Sequence, residues 1–397
     1  MEIDMNMDRG REGHEVVRAG FLPLVDAAPL IVAARRGLAA AEAIDLRLVR
    51  QPSWASVRDR VNVGHLDVAQ MLAGMPLAAS LGINHLKVPT VATFAFGRGG
   101  NVIALSRCLF AGLDETAQGW RESPVTAGLA LRDLIRQRAT AGKPPLVLAM
   151  VFPFSSHNYE LRYWLAASGI DPDRDVRIVV IPPSMMVDSL RAGQVDGFCV
   201  GEPWGSLAVD AGLAAIVALK HDIWPDAPEK VLGARTVWAE RHPDLLRRLL
   251  RALHAGAEWC QDPDNREDLV GLLADEAHVG APVRILRRAL SGDLVVHPDG
   301  TVRHAPDFLR FGGGRMNLPD PAAATWVLSQ MMRWGQVDYS EQAVRMVSEV
   351  YRADLLEDAT GFPGAAAGRD HAPLMDGRYF DPGNVRRYLG EVRPIVR

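Results

Sequence analysis

The chain has 397 residues, 48% hydrophobic and 23% charged, which suits a globular chain too long for one ordinary core and so predicts two lobes. Its formal net charge of −4 excludes a broad positive field, so composition argues against nucleic acid and acidic membrane surfaces, and a bound anion must be caught by local donors. Three widely spaced cysteines, Cys108, Cys199 and Cys260, exclude a disulfide framework and zinc-type spacing.

Residues 1–15 read as a flexible N-terminus. Residues 1–18 hold Glu2, Asp4, Asp8, Arg9, Arg11 and Glu12, without the run of about 7–15 apolar residues that a secretory signal needs. No later run reaches the roughly 18 apolar residues of a membrane helix. The expectation is a cytoplasmic chain. Residues 16–21 read as a strand, 29–37 as a helix closed by Gly37, and 46–49 as a strand. Ser53 offers a cap to a helix over 53–60. Strands follow over 88–94 and 102–105, then a helix over 129–138 and a buried strand over 146–152. A helix over 156–167, a strand over 177–181, a helix over 185–192 and a strand over 197–200 continue the alternation, which predicts α/β with largely parallel sheets. From about 240 the pattern is helical, over 243–259, 266–274, 282–289, 322–334 and 341–351, with Gly312-Gly313-Gly314 as a turn. Residues 356–397, with the run Gly364-Ala365-Ala366-Ala367-Gly368, read as a loose tail or an interaction arm.

Four segments collect polar groups at strand ends, where α/β sheets hold ligands. Gln51-Pro52-Ser53-Trp54 places an aromatic that could wall a planar ligand or fill a lobe interface. Gly97-Arg98-Gly99-Gly100-Asn101 lets backbone approach a ligand closely, or is a plain turn; no Gly-Lys-Ser/Thr follows to make a phosphate loop. In Phe152-Pro153-Phe154-Ser155-Ser156-His157 a serine caps the next helix, so His157 falls in its first turn, where N–H groups favour an anion. There is no G-x-S-x-G elbow to make a Ser–His hydrolase. In Pro228-Glu229-Lys230 the lysine can neutralise an anion as a compact charge or lie on the surface. The histidines show no metal-ligand spacing, so no metal and no cofactor is expected.

Together with Gly20-Phe21-Leu22-Pro23-Leu24, Arg162-Tyr163-Trp164-Leu165-Ala166, Gly201-Glu202-Pro203-Trp204 and Gln330-Met331-Met332-Arg333-Trp334-Gly335, these segments resemble the nitrate-binding group of type II periplasmic-binding-protein folds. The resemblance covers about 17–355 and implies a two-lobed α/β fold with additional C-terminal helices, with lobe one over 16–106 and 225–355, lobe two over 107–224 and a tail over 356–397. It implies no enzyme activity and an oxyanion held in the cleft by Trp54, Gly100, Asn101, His157 and Lys230. The family position of Asn101 is often glutamine, and Asp67-Val68-Ala69-Gln70 departs from a family histidine. Bicarbonate-binding relatives tend to carry an acid and a metal where Lys230 stands, so the lysine favours a monovalent anion. Without a leader, the chain is most similar to the cytoplasmic NasS-type nitrate/nitrite sensors. That implies release of an ANTAR-type RNA-binding antiterminator (NasT-like) on ligand binding, with no direct contact to nucleic acid or membrane. The alternatives are a nitrate ABC-transporter binding subunit and a thiamin-precursor-synthase-like enzyme.

Overall fold

Two five-stranded sheets, one per lobe, carry the architecture of this computed structural model, which describes residues 13–83, 86–225, 227–312, 314–361 and 372–392. Up to residue 235 the strands, in chain order, are β1 (Glu15–Phe21), β2 (Ile44–Arg50), β3 (Val68–Leu72), β4 (Thr90–Ala95), the short β5 (Arg98–Gly99), β6 (Asn101–Ser106), β7 (Leu146–Met150), β8 (Val176–Val180), β9 (Gly197–Gly201), β10 (Ala214–Leu219) and β11 (Lys230–Arg235). The first sheet runs β2-β1-β3-β11-β4 and the second β10-β6-β9-β7-β8.

Each sheet is parallel on one side and antiparallel on the other. β1 lies parallel to β2 and β3, while β11 enters antiparallel between β3 and β4. In the second sheet β7 is parallel to β8 and β9, and β6 is antiparallel to β9 and β10. The antiparallel insertions mark where the chain changes lobes, from β4 to β6 and back from β10 to β11. Parallel neighbours need a crossover helix, whereas a strand returning from the other lobe enters from the opposite end. β6 already pairs in the second sheet, so the first crossing lies near Gly100, ahead of the expected boundary at 106.

Local signals place the helices. Ser53 caps the helix Trp54–Asn62 by accepting from the Ser56 N–H at 3.2 Å, and Ser155 caps Ser156–Ala167 by accepting from the Asn158 N–H at 3.0 Å. Gly256 lets the helix Pro243–Gln261 close on Ala28–Arg35, since a Cβ there would stand 2.6 Å from the Pro29 carbonyl oxygen. The C-terminal helices Pro321–Arg333, Glu341–Val350, Ala353–Thr360 and Val385–Val392 complete the two-lobed α/β fold. The described part of the supposed loose tail is packed. Phe380, Val385, Tyr388 and Val392 are buried, Gln330 donates to the Tyr388 hydroxyl at 3.0 Å, and the Tyr163 hydroxyl donates to Asp376 at 2.9 Å. Its glycine–alanine run, residues 1–12 of the supposed flexible N-terminus and Gly313 of the supposed turn lie outside the described residues.

Candidate functional site

Trp54, Asn101, His157 and Lys230 converge between the two sheets, and all four are buried. The convergence follows from strand ends. Trp54 starts the helix after β2, Asn101 opens β6, His157 lies in the first turn after β7, and Lys230 opens β11. The Lys230 ammonium stands 5.7 Å from the Trp54 ring centroid, a cation–π distance, and the Trp54 Nε1 has no hydrogen-bond partner among the described residues. A Cβ on Gly201, across the ladder from Asn101, would stand 3.4 Å from Asn101 Oδ1 and 3.6 Å from His157 Nε2. Glycine there keeps a space between these two side chains.

Gly100 belongs to the same turn but offers no free donor. Its φ of +85° suits glycine, its N–H donates to the Phe308 carbonyl at 2.7 Å, and its carbonyl accepts from the Glu202 N–H at 3.0 Å. Its part is to shape the crossing. Gly99, at φ +79°, is also obligatory, because a Cβ there would sit 2.0 Å from the Phe308 carbonyl oxygen.

Lys230 is not a lone charge. Its ammonium is 2.9 Å from Asp26 Oδ2 and 2.6 Å from Glu229 Oε1. Asp26 also accepts from Gln70 Nε2 at 2.6 Å, and Gln70 is fixed by the Leu22 N–H, which donates to its Oε1 at 3.1 Å. Glu229 is the hub. Its Oε2 accepts from the Ser156 hydroxyl at 2.5 Å and from the Lys220 ammonium, while its Oε1 lies 3.5 Å from His157 Nδ1. Lys220 also donates to Glu160 Oε1 at 2.5 Å, and Asn101 Nδ2 donates to Glu160 Oε2 at 3.0 Å.

Lys220, Glu160, Glu229 and Asp26 were not read as site residues from sequence. Glu160 stands three residues after His157, on the same helix face. Lys220 ends the uninterrupted apolar run of β10, and Asp26 is a lone charge in an apolar stretch. A charge placed where burial is otherwise expected was the available signal.

Burial and pairing set the charges. Burial raises Glu160 above the usual carboxylate range, the nearby Glu229 adds to this, and Lys220 opposes it. Burial also raises Asp26, against the pull of Lys230. For Glu229 burial acts upward, yet Lys220 and Lys230 together outweigh it and hold the carboxyl well below its ordinary value. Lys220 and Lys230 stay protonated: burial opposes their charge, and the carboxylates beside them override it. Burial holds His157 well below 6.5, helped by both lysines and opposed by Glu229, so its imidazole is neutral at physiological pH. Among the described residues no group of three or more His, Cys, Asp or Glu is arranged to hold a metal ion.

Two α/β lobes around a buried set of polar side chains give this chain the fold of a periplasmic binding protein. The chain belongs to the NMT1-like family, whose model matches residues 10–274. It is 36% identical over 396 residues to a bicarbonate transport ATP-binding protein, CmpC, of Synechococcus elongatus, covering 98% of this chain and 56% of that protein. It is 32% identical to the nitrate/nitrite binding protein NrtA of Synechococcus elongatus, over 94% of this chain and 85% of that one. The crystal structure of the periplasmic nitrate-binding protein NrtA from Synechocystis PCC 6803 superposes with a TM-score of 0.86 at 25% identity, covering 96% of this chain and 99% of that one. The chain spans about half the length of the import and transport ATP-binding proteins it matches.

These relationships correct the sequence reading in several respects. The cytoplasmic location, the NasS-type sensor role, the antiterminator partner and the exclusion of a membrane partner do not stand, because the relatives are import and transport ATP-binding proteins, a nitrate/nitrite binding protein and a periplasmic nitrate-binding protein. The exclusion of a membrane drew also on the small net charge; the other three rested on the lack of an apolar run in residues 1–18. That lack reports on those residues alone and says nothing of what the folded lobes serve.

Proposed function

We propose that the protein is the substrate-binding component of a nitrate or bicarbonate ABC-type importer, acting on the periplasmic side and handing a small planar oxyanion to a membrane permease and its ATPase. The observation that carries this is the burial of Trp54, Asn101, His157 and Lys230 between the two sheets, beside the space that Gly201 leaves. Trp54 offers a flat wall, Asn101 and neutral His157 face the space, and Lys220 and Lys230 stand beside it among the carboxylates that pair them; Gly100 shapes the turn that carries Asn101. The lobes divide at the crossings near Gly100 and near residue 225, so the first lobe supplies Trp54 and Lys230 and the second Asn101 and His157. Ligand touching both lobes binds the closed form best and shifts the population toward it, which gives a permease two shapes to distinguish. The relatives named for nitrate, nitrite and bicarbonate support this ligand class. Calorimetric titration with nitrate, nitrite, bicarbonate and sulfate tests it, with binding of at least one of the first three expected. Absence of heat with all of them overturns the reading.

A further inference from the structure

We propose that the site takes up one proton from solvent with each anion it binds, and that the proton settles on Glu160. This rests on the oxyanion reading above. The cluster already holds a charge balance that leaves no room for another anion. From the first lobe come Asp26 and the Glu229–Lys230 pair, and from the second come Glu160 and Lys220. With His157 neutral, two ammonium groups face three carboxylates, a net charge of −1. Among the described residues, Cys199 and Tyr351 also feel this cluster; burial keeps both protonated, and Tyr351 donates its hydroxyl to the Ala73 carbonyl. A monovalent anion would take this buried cluster to −2. Uncompensated buried charge is costly enough that a group titrates instead.

Geometry selects the group: Asp26 meets the ammonium of Lys230 on one oxygen and the Gln70 Nε2 donor on the other, and Gln70 is pinned by the Leu22 N–H, so a proton on Asp26 would face donors alone. Glu229 draws on both lysines and on Ser156, so it stays ionised. Glu160 has only Lys220, and shares it with Glu229. Its second oxygen is held by Asn101 Nδ2, while Asn101 Oδ1, fully buried, has no partner among the described residues. Half a turn of the Asn101 amide lets a protonated Glu160 donate to that idle Oδ1 and frees the Nδ2 group to donate to the ligand. The proton thus removes the excess charge and releases the Asn101 donor in one step. His157, too deeply buried to protonate, is not the acceptor.

The test is calorimetric titration of the full chain with sodium nitrate near neutral pH in bis-tris and in tris, amine buffers of different ionisation enthalpy that bring no competing oxyanion. The expected result is an apparent enthalpy that differs between them by close to the full difference between their two ionisation enthalpies, with Kd rising about tenfold per pH unit on the alkaline side. Glu160→Gln, neutral from the start, should bind with a buffer-independent enthalpy. Nitrate binding with equal enthalpies in both buffers leaves the oxyanion reading intact and overturns the linkage, with no variant needed. Uptake that persists in Glu160→Gln overturns the assignment to Glu160. If nitrate, nitrite and bicarbonate all fail to bind from about pH 5 to about pH 9, the oxyanion reading falls and the linkage with it.

Discussion

Glu202→Gln removes a carboxyl buried at the point where the second sheet meets the interlobe crossing. Glu202 follows β9 directly, its backbone N–H donates to Gly100, and its carbonyl accepts from the Val25 N–H. Its side chain is 2% exposed and accepts only from the backbone N–H of Ser206, at 3.2 and 3.3 Å, with no cation paired to it among the described residues. Burial therefore pushes the carboxyl up to about 7 from an ordinary 4.5, with Ser206, through its side chain and then its N–H, only partly opposing. A group raised on folding stabilises the fold fully below its unfolded value, and that stability is lost as pH rises through its folded value. The window thus runs from about 4.5 to about 7. A difference of that size corresponds to about 3 kcal/mol, a large share of the roughly 5–15 kcal/mol that holds a typical domain folded. Urea unfolding of wild type and Glu202→Gln, at steps across this range, isolates the effect, because every other titrating group is common to both. The stability of wild type relative to the variant should fall by about 3 kcal/mol between acid and neutral pH. Two pH profiles that stay parallel would refute the reasoning.

The remaining predictions concern the site and its crossing. Gly201→Ala should fold normally, since its Cβ meets only ordinary contact distances, yet lose about tenfold or more in nitrate affinity by filling the space between Asn101 and His157; wild-type affinity in calorimetry would free that space from any role. Lys230→Met should cost about 3–5 kcal/mol in urea unfolding near pH 7, because it strands buried Asp26 and Glu229. The loss should shrink as pH falls and Asp26 protonates, so a pH-independent loss would contradict the pairing. Gly99→Ala should destabilise strongly, through both the positive φ and the collision with the Phe308 carbonyl; an unchanged urea midpoint would show that the turn relaxes.

What the amino-acid order determined by itself is what neighbours in the chain decide. Ser53 and Ser155 cap helices through N–H groups three residues on, so both starts were readable, and His157 fell in the first helical turn as expected. Apolar runs located β1, β7 and β9 because strand burial repeats within a few residues. Tertiary structure alone decided the rest. β11 is a short segment interrupted by Gly233, and it exists as a strand because β3 and β4, more than 130 residues earlier, receive it. The Gly100 N–H looked free for a ligand until Phe308, 208 residues away in sequence, claimed it. Lys230 read as an open positive charge, yet Asp26 and Glu229 occupy it, and Lys220 joins Glu160 across 60 residues. Pattern along the chain reports local geometry and burial. The charge state of a buried site depends on which distant groups the fold sets within a few ångströms, because Coulomb interaction in a low-dielectric interior is set by distance in space and not by separation in sequence.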